Sequence, residues 1–91
     1  MIRIYFDKRK SQSVKKKHGV SLEEAQEIFD QVYIVDQKRD DPEQFRAIGW
    51  GRGRLCSLIF EIRNDTDGEY HHLITAWEAT AGEEQAYAEN I

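Results

Sequence analysis

Three strand patterns in a row constrain this chain more than any other feature: roughly 44–51, 54–63 and 69–77. Only Gly51-Arg-Gly53 separates the first two, which reads as a tight hairpin, and Asn64-Asp-Thr-Asp-Gly68 joins the next two. Connections this short leave no room for a crossover, so the three must be antiparallel neighbours. In the middle strand Cys56, Leu58, Phe60 and Ile62 share one face, with Ser57 and Glu61 opposite. A sheet with one apolar face needs helices to cover it, and the rest of the sequence supplies them.

Ser21-Leu-Glu-Glu24 is a capping box, in which Ser21 and Glu24 satisfy each other's free backbone donors. Behind it Leu22, Ala25, Ile28, Phe29 and Val32 fall on one helical face and predict a core helix. An earlier helix over 7–17 has little apolar surface beyond Val14, so it is expected to lie exposed and be held at its ends. Asp7 is its cap and Gly19 its left-handed stop, while Lys15 to Lys17 suit its negative C-terminal dipole. Residues 2–6 (IRIYF) predict a first strand, Tyr33-Ile-Val35 a short one, and Lys38 to Pro42 a polar loop. Thr80-Ala-Gly-Glu83 repeats the capping box and opens a last short helix through Tyr87. The expected order is β-α-α-β-β-β-β-α: an α+β fold, one domain over 1–91, with an antiparallel sheet packed on two N-terminal helices.

Charge divides the chain. Residues 1–18 hold seven lysines and arginines against Asp7 alone, while residues 61–91 hold one arginine and eight acids, within a total of −4. Such a split reads as a basic binding end on an acidic body, or as two solvated helix faces. No apolar run reaches the length of a membrane helix or resembles a signal peptide, and the single cysteine, Cys56, suits a reducing compartment, so a cytoplasmic location with no membrane partner is expected. Cys56 itself, in the apolar run LCSLIF, reads as core filler.

Several ordered motifs resemble the BrnT toxins. They are D-x-x-K (Asp7 to Lys10), K-H-G-V (Lys17 to Val20) and S-L-E-E-A (Ser21 to Ala25), then Glu43 to Phe45, Gly49 and Gly53-Arg-Leu55. Leu-Ile-Thr-Ala-x-x-Ala-Thr from Leu73 to Thr80 and E-x-x-x-Y from Glu83 to Tyr87 complete the set. The resemblance implies a bacterial type II toxin with a RelE-like fold, a ribonuclease that needs no metal or other cofactor. It also implies neutralisation by a BrnA-like ribbon-helix-helix antitoxin, in a heterotetramer that meets DNA only through the antitoxin. The sequence departs from the family pattern at Val14, at Gln44, and at Trp77-Glu78, where a basic pair commonly ends the last strand. Those losses support an alternative: a non-catalytic homologue that keeps the fold and the antitoxin interface. A stand-alone RNA-binding module is a third reading.

Metal-free RNA cleavage needs a base for the 2′-hydroxyl, a cation for the phosphorane and an acid for the leaving oxygen. His18, with Lys17 beside it, is the candidate for proton transfer; as the alternative it caps the first helix. Arg46 and Arg54 are candidate phosphate clamps, and Tyr87 a candidate proton donor or a staple for the last helix. Lys10, Lys15, Lys16 and Arg52 are candidate RNA contacts, although cations at a hairpin tip also serve as edge protection. Trp77 and Trp50 are expected at a partner interface, with base stacking as the other use of such rings. The pair His71-His72 invites a zinc reading, but neighbouring strand residues point to opposite faces, so no metal site is expected.

Overall fold

A computed structural model describes residues 2–91; Met1 lies outside them. The order along the chain is β1 (Ile4–Tyr5), α1 (Lys8–His18), α2 (Leu22–Ala25), a 3-10 turn (Gln26–Asp30), β2 (Tyr33–Asp40), β3 (Glu43–Gly51), β4 (Arg54–Asp65), β5 (Gly68–Glu78) and α3 (Ala81–Glu89). The five strands form one sheet in the order β1-β5-β4-β3-β2. The fold is α+β.

Both helix starts are built as the capping pattern dictates. Ser21 Oγ accepts from the Glu24 N–H while Glu24 Oε1 accepts from the Ser21 N–H, and Thr80 and Glu83 do the same for α3. Asp7 accepts from the N–H groups of Arg9 and Lys10. Gly19, at φ 81°, returns its own N–H to the Lys15 carbonyl and ends α1. Only Ser11 and Val14 of α1 are buried, so the helix is exposed as expected.

One face of the sheet carries the core. Val14, Val20, Leu22, Ala25 and Ile28 pack there against Ala47, Cys56, Leu58, Phe60, Leu73 and Ala76, all at most 5% exposed. Burying a side chain of leucine size contributes about 1.5–3 kcal/mol, so this layer dominates the favourable side of folding. The β3–β4 turn lies close beneath it. A Cβ on Gly51 would come within 2.9 Å of the Glu24 carbonyl, so only glycine lets the hairpin approach α2 this closely. Arg52 and Gly53, at φ 51° and 77°, make the two-residue turn. The left-handed backbone of Arg52 is clasped by Glu27, which accepts from both its N–H (3.0 Å) and its Nε (2.9 Å).

Several expectations are corrected. The first strand shrinks from residues 2–6 to Ile4–Tyr5 and pairs parallel to β5, so the sheet is mixed. The short strand at 33–35 continues to Asp40, and the expected loop over 38–42 contracts to a turn at Asp41-Pro42. Lys38 is looped out there as a bulge, which twists a charged residue onto the free sheet edge. The loop over 64–68 likewise contracts to Thr66-Asp67. The core helix gives way to a 3-10 turn after Ala25, leaving Val32 67% exposed instead of buried. Ile62 lies beyond the helical cover, at 40% exposure.

A second bulge matters more. Ile59 faces Thr75, but Phe60 faces Leu73, so Ile74 is an extra residue in β5. Leu73 and Ala76 thereby both reach the core although three positions separate them. His71 follows Leu73 to that side and stacks on Phe60 (4.5 Å) and edge-on to Phe29 (5.1 Å); His72 is turned to the opposite face.

The Nδ1 atom of His71 is buried without a hydrogen-bond partner, and burial holds its pKa below the usual 6.5 against the weaker pull of Glu69. The unfolded chain therefore takes up a proton that the folded chain resists, and stability falls as pH drops below about 6.5. Thermal melts between pH 7.5 and 5.5 should show this slope. His71→Phe, which fills the same stack without titrating, should reduce it, leaving the part due to His72, which burial shifts in the same direction; an unchanged slope would exclude His71 as a source.

Candidate functional site

The proposed site residues fall into two groups on opposite sides of the sheet. Lys10, Lys15, Lys16, Lys17 and His18 stand on α1, whose Val14 belongs to the core layer. Arg46, Trp77 and Tyr87 meet on the other side, under α3. Arg52 lies in the hairpin turn and Arg54 follows it at the start of β4, while Trp50 lies near it on β3, 43% exposed.

On the α1 side a groove of about 710 Å³ runs between α1, the start of α2 and the hairpin tip. Arg9, Lys15, Lys16 and Arg52 line it together with Glu23 and Glu24. Two of these cations are already engaged. Lys15 donates to Glu24 at 2.8 Å, and Arg52 is held by Glu27. The Lys15 ammonium and the Ser21 N–H hold the Glu24 carboxyl down to about 2, so the acid stays ionised. Among the described residues Arg9, Lys10, Lys16, Lys17 and His18 make no ion pair. Gly19, not the imidazole of His18, makes the helix cap.

The sheet cations differ. Arg46 spans Asp36 (Nε to Oδ1 at 3.0 Å) and Glu83 (3.2 Å). Arg54 pairs with Glu78 at 3.4 Å. Gln44 shares the face of Arg46, as the alternation predicts, and donates to Glu61 at 2.8 Å.

Glu83 is the pivot of the α3 side. It is 8% exposed and accepts from the Trp77 indole N–H (3.0 Å), the Thr80 N–H (2.9 Å) and Arg46. Burial opposes its charge, but the hydrogen bonds from Thr80 and Trp77 outweigh that and hold its pKa below the usual range. The Tyr87 hydroxyl donates to the Val32 carbonyl at 3.0 Å, so the ring pins α3 to the entry of β2. Trp77 and Glu78 both have partners in this fold: one holds Glu83 and the other pairs with Arg54.

A further polar chain crosses the half of this face beyond α3. Glu61 accepts from Gln44 and from the Arg63 Nε (2.9 Å), and Arg63 NH1 lies 3.2 Å from His72 Nδ1. Tyr5 and Tyr70 pack their rings against His72, at 5.2 and 6.4 Å between centroids. Of these residues Glu61, His72 and Gln44 draw notice in the sequence, as a polar strand face, as half of a rejected zinc pair and as a departure from the family pattern. The missing signal is long-range: Tyr5, Glu61 and His72 come from three strands.

These features define a small α+β domain with one row of unneutralised cations on a helix and a polar sheet face behind it. The family described as the ribonuclease toxin BrnT of type II toxin-antitoxin systems matches residues 6–83, and the chain belongs to that family. No curated protein matches the chain.

Trp77→Phe keeps the ring and removes the donor, leaving a buried carboxylate short of one hydrogen bond. Urea unfolding should show a loss of about 1–3 kcal/mol. Unchanged stability would mean that the indole does not hold Glu83.

Proposed function

We propose that the chain is the RNA-cleaving toxin of its pair, with a RelE-like fold. It cuts by metal-independent transesterification and is silenced by a small BrnA-like ribbon-helix-helix antitoxin in a heterotetramer, which alone contacts DNA. One observation carries this reading: in a chain of this family, α1 keeps a row of unpaired cations while Arg46 and Arg54 on the strands and Arg52 in the hairpin turn are matched by carboxylates. Unpaired cations attract a polyanion; paired ones bring their counter-charge with them. On this reading Lys10, Lys16 and Lys17 grip the RNA backbone while Lys15 stays with Glu24, and His18 adds an exposed imidazole at the end of the row. The acidic body suits a basic antitoxin, whose approach opposite charge would steer.

A second reading rests on the same pairs. Arg46 and Arg54, the candidate clamps, are occupied by Asp36, Glu83 and Glu78, which favours a non-catalytic module that only binds the antitoxin. One experiment separates the two. The purified chain should cut single-stranded RNA in excess EDTA, leave 2′,3′-cyclic phosphate ends, and stop when the antitoxin encoded beside it is added. Lys16→Gln with Lys17→Gln should raise KM about tenfold or more with kcat little changed. Absence of cleavage with intact antitoxin binding would establish the second reading; cleavage that requires added metal would contradict the mechanism.

A further inference from the structure

The half of the sheet face that α3 leaves open brings together groups that the α1 corner cannot assemble. Cross-strand pairing sets Glu61 opposite His72 and His72 opposite Tyr5, with Arg63 opposite Tyr70 in the next rung. His72, Tyr5, Tyr70 and Arg3 line a cavity of about 520 Å³ beside this row. Glu61 sits low, with its side chain 13% exposed, while the Arg63 side chain is 45% exposed. Gln44 fixes one carboxylate oxygen of Glu61 and Arg63 the other.

We propose that Glu61, Arg63 and His72 form the reaction centre for phosphodiester cleavage, with Tyr5 and Tyr70 as the wall against which a nucleobase stacks. The assignment rests on the ribonuclease reading above and gives it an acid, a base and a cation within one hydrogen-bonded row. Glu61, ionised because Gln44 and Arg63 donate to it, takes the 2′-hydroxyl proton as O2′ attacks phosphorus. Arg63 stabilises the charge that builds on the non-bridging oxygens, for which a planar guanidinium is suited. The P–O5′ bond breaks, and imidazolium His72 delivers its proton to the departing 5′-oxygen. The products are a 2′,3′-cyclic phosphate and a free 5′-hydroxyl; Glu61 then holds a proton that His72 has lost, and exchange with water resets both.

The geometry selects the atoms. Arginine can only donate, so in the resting row His72 Nδ1 accepts from Arg63 and Nε2 carries the proton. The imidazolium forms when Arg63 turns to the phosphate and Nδ1 takes up a proton from water, and Nε2–H is then the acid. Without RNA, burial and then the charge of Arg63 hold the His72 pKa below its usual value and disfavour the imidazolium, with Lys10 acting in the same direction and Glu61 against it. A phosphate bound to Arg63 offsets that cation and favours the imidazolium, so the acid is armed when the substrate arrives. Tyr5, 53% exposed, has a free ring surface for stacking.

The test uses the full chain and a single-stranded RNA oligonucleotide. Glu61→Gln and His72→Gln should each lower kcat by about 10²–10⁴ while melting within a few degrees of wild type. The cleaved linkage is then rebuilt with sulfur in place of the 5′-bridging oxygen, giving a leaving group that needs no proton. That substrate should restore His72→Gln towards the wild-type rate and leave Glu61→Gln slow, a split that loss of structure would not produce; His72→Asn repeats the arm if His72→Gln melts early. Wild-type cleavage with both variants within threefold of it would overturn this assignment alone, and failure of sulfur to rescue either His72 variant would remove His72 as the acid. A wild-type chain that cuts no RNA would overturn the ribonuclease reading and this assignment with it.

Discussion

What the molecule can offer a ligand depends on the register between β4 and β5. β4 is buried from Cys56 to Phe60 on both sides, by the helical layer on one and by α3 with neighbouring strands on the other. A strand enclosed in this way cannot slip, because a shift of one residue would exchange its two faces. The extra residue at Ile74 is then forced onto β5, and it decides which of two adjacent histidines enters the core. With an unbroken alternation from Ala76, His72 would face the core aromatics and His71 the open face. The bulge reverses this, giving His71 a place between Phe29 and Phe60 and setting His72 beside Glu61 and Arg63.

Charge is allocated as strictly as apolar surface. An acidic chain could have spread its cations as exposed ion pairs, each worth only about 0–1 kcal/mol. On the strands it does so: Arg46, Arg54 and Arg63 meet Asp36 and Glu83, Glu78, and Glu61. The exceptions are Lys38 and Arg39 on the β2 edge and, above all, helix α1, with Lys10, Lys16, Lys17 and His18 all unpaired among the described residues. Its poor apolar content explains why it tolerates this. Ser11 and Val14 alone are buried, and Asp7 and Gly19 fix its ends, so the outer surface is free to be basic. The stretch from Lys15 to Glu24 therefore combines two things: a charged rim and, from Ser21, the cap of a core helix.

Local chemistry was legible in the sequence, and long-range chemistry was not. Both capping boxes, the Gly19 stop, the Arg52-Gly53 turn and the core face of Cys56, Leu58 and Phe60 follow from spacing alone. Periodicity overreached at Val32, because the helix tightens into a 3-10 turn just before it. It fell short at Lys38 to Pro42, where charged residues on an edge strand look like a loop. Trp77 was legible as a departure but not as a donor, since its partner Glu83 is fixed only once α3 folds back. Arg46 and Arg54 read as free clamps because the carboxylates that meet them come from neighbouring strands and α3. The Glu61-Arg63-His72 row depends on a bulge that no local pattern announces.

The central claim is that α1, not the strand arginines, carries the electrostatic grip on RNA. Binding of a non-cleavable 2′-deoxy oligonucleotide, followed by fluorescence anisotropy across a series of salt concentrations, tests it directly. Each phosphate contact contributes a slope of about −0.7 in log affinity against log salt for a single strand. Changing Lys10, Lys16 and Lys17 together to Gln should flatten the slope by about 2, while Arg46→Gln with Arg54→Gln should leave it nearly unchanged. A slope that survives the lysine changes and collapses with the arginine pair would contradict the account.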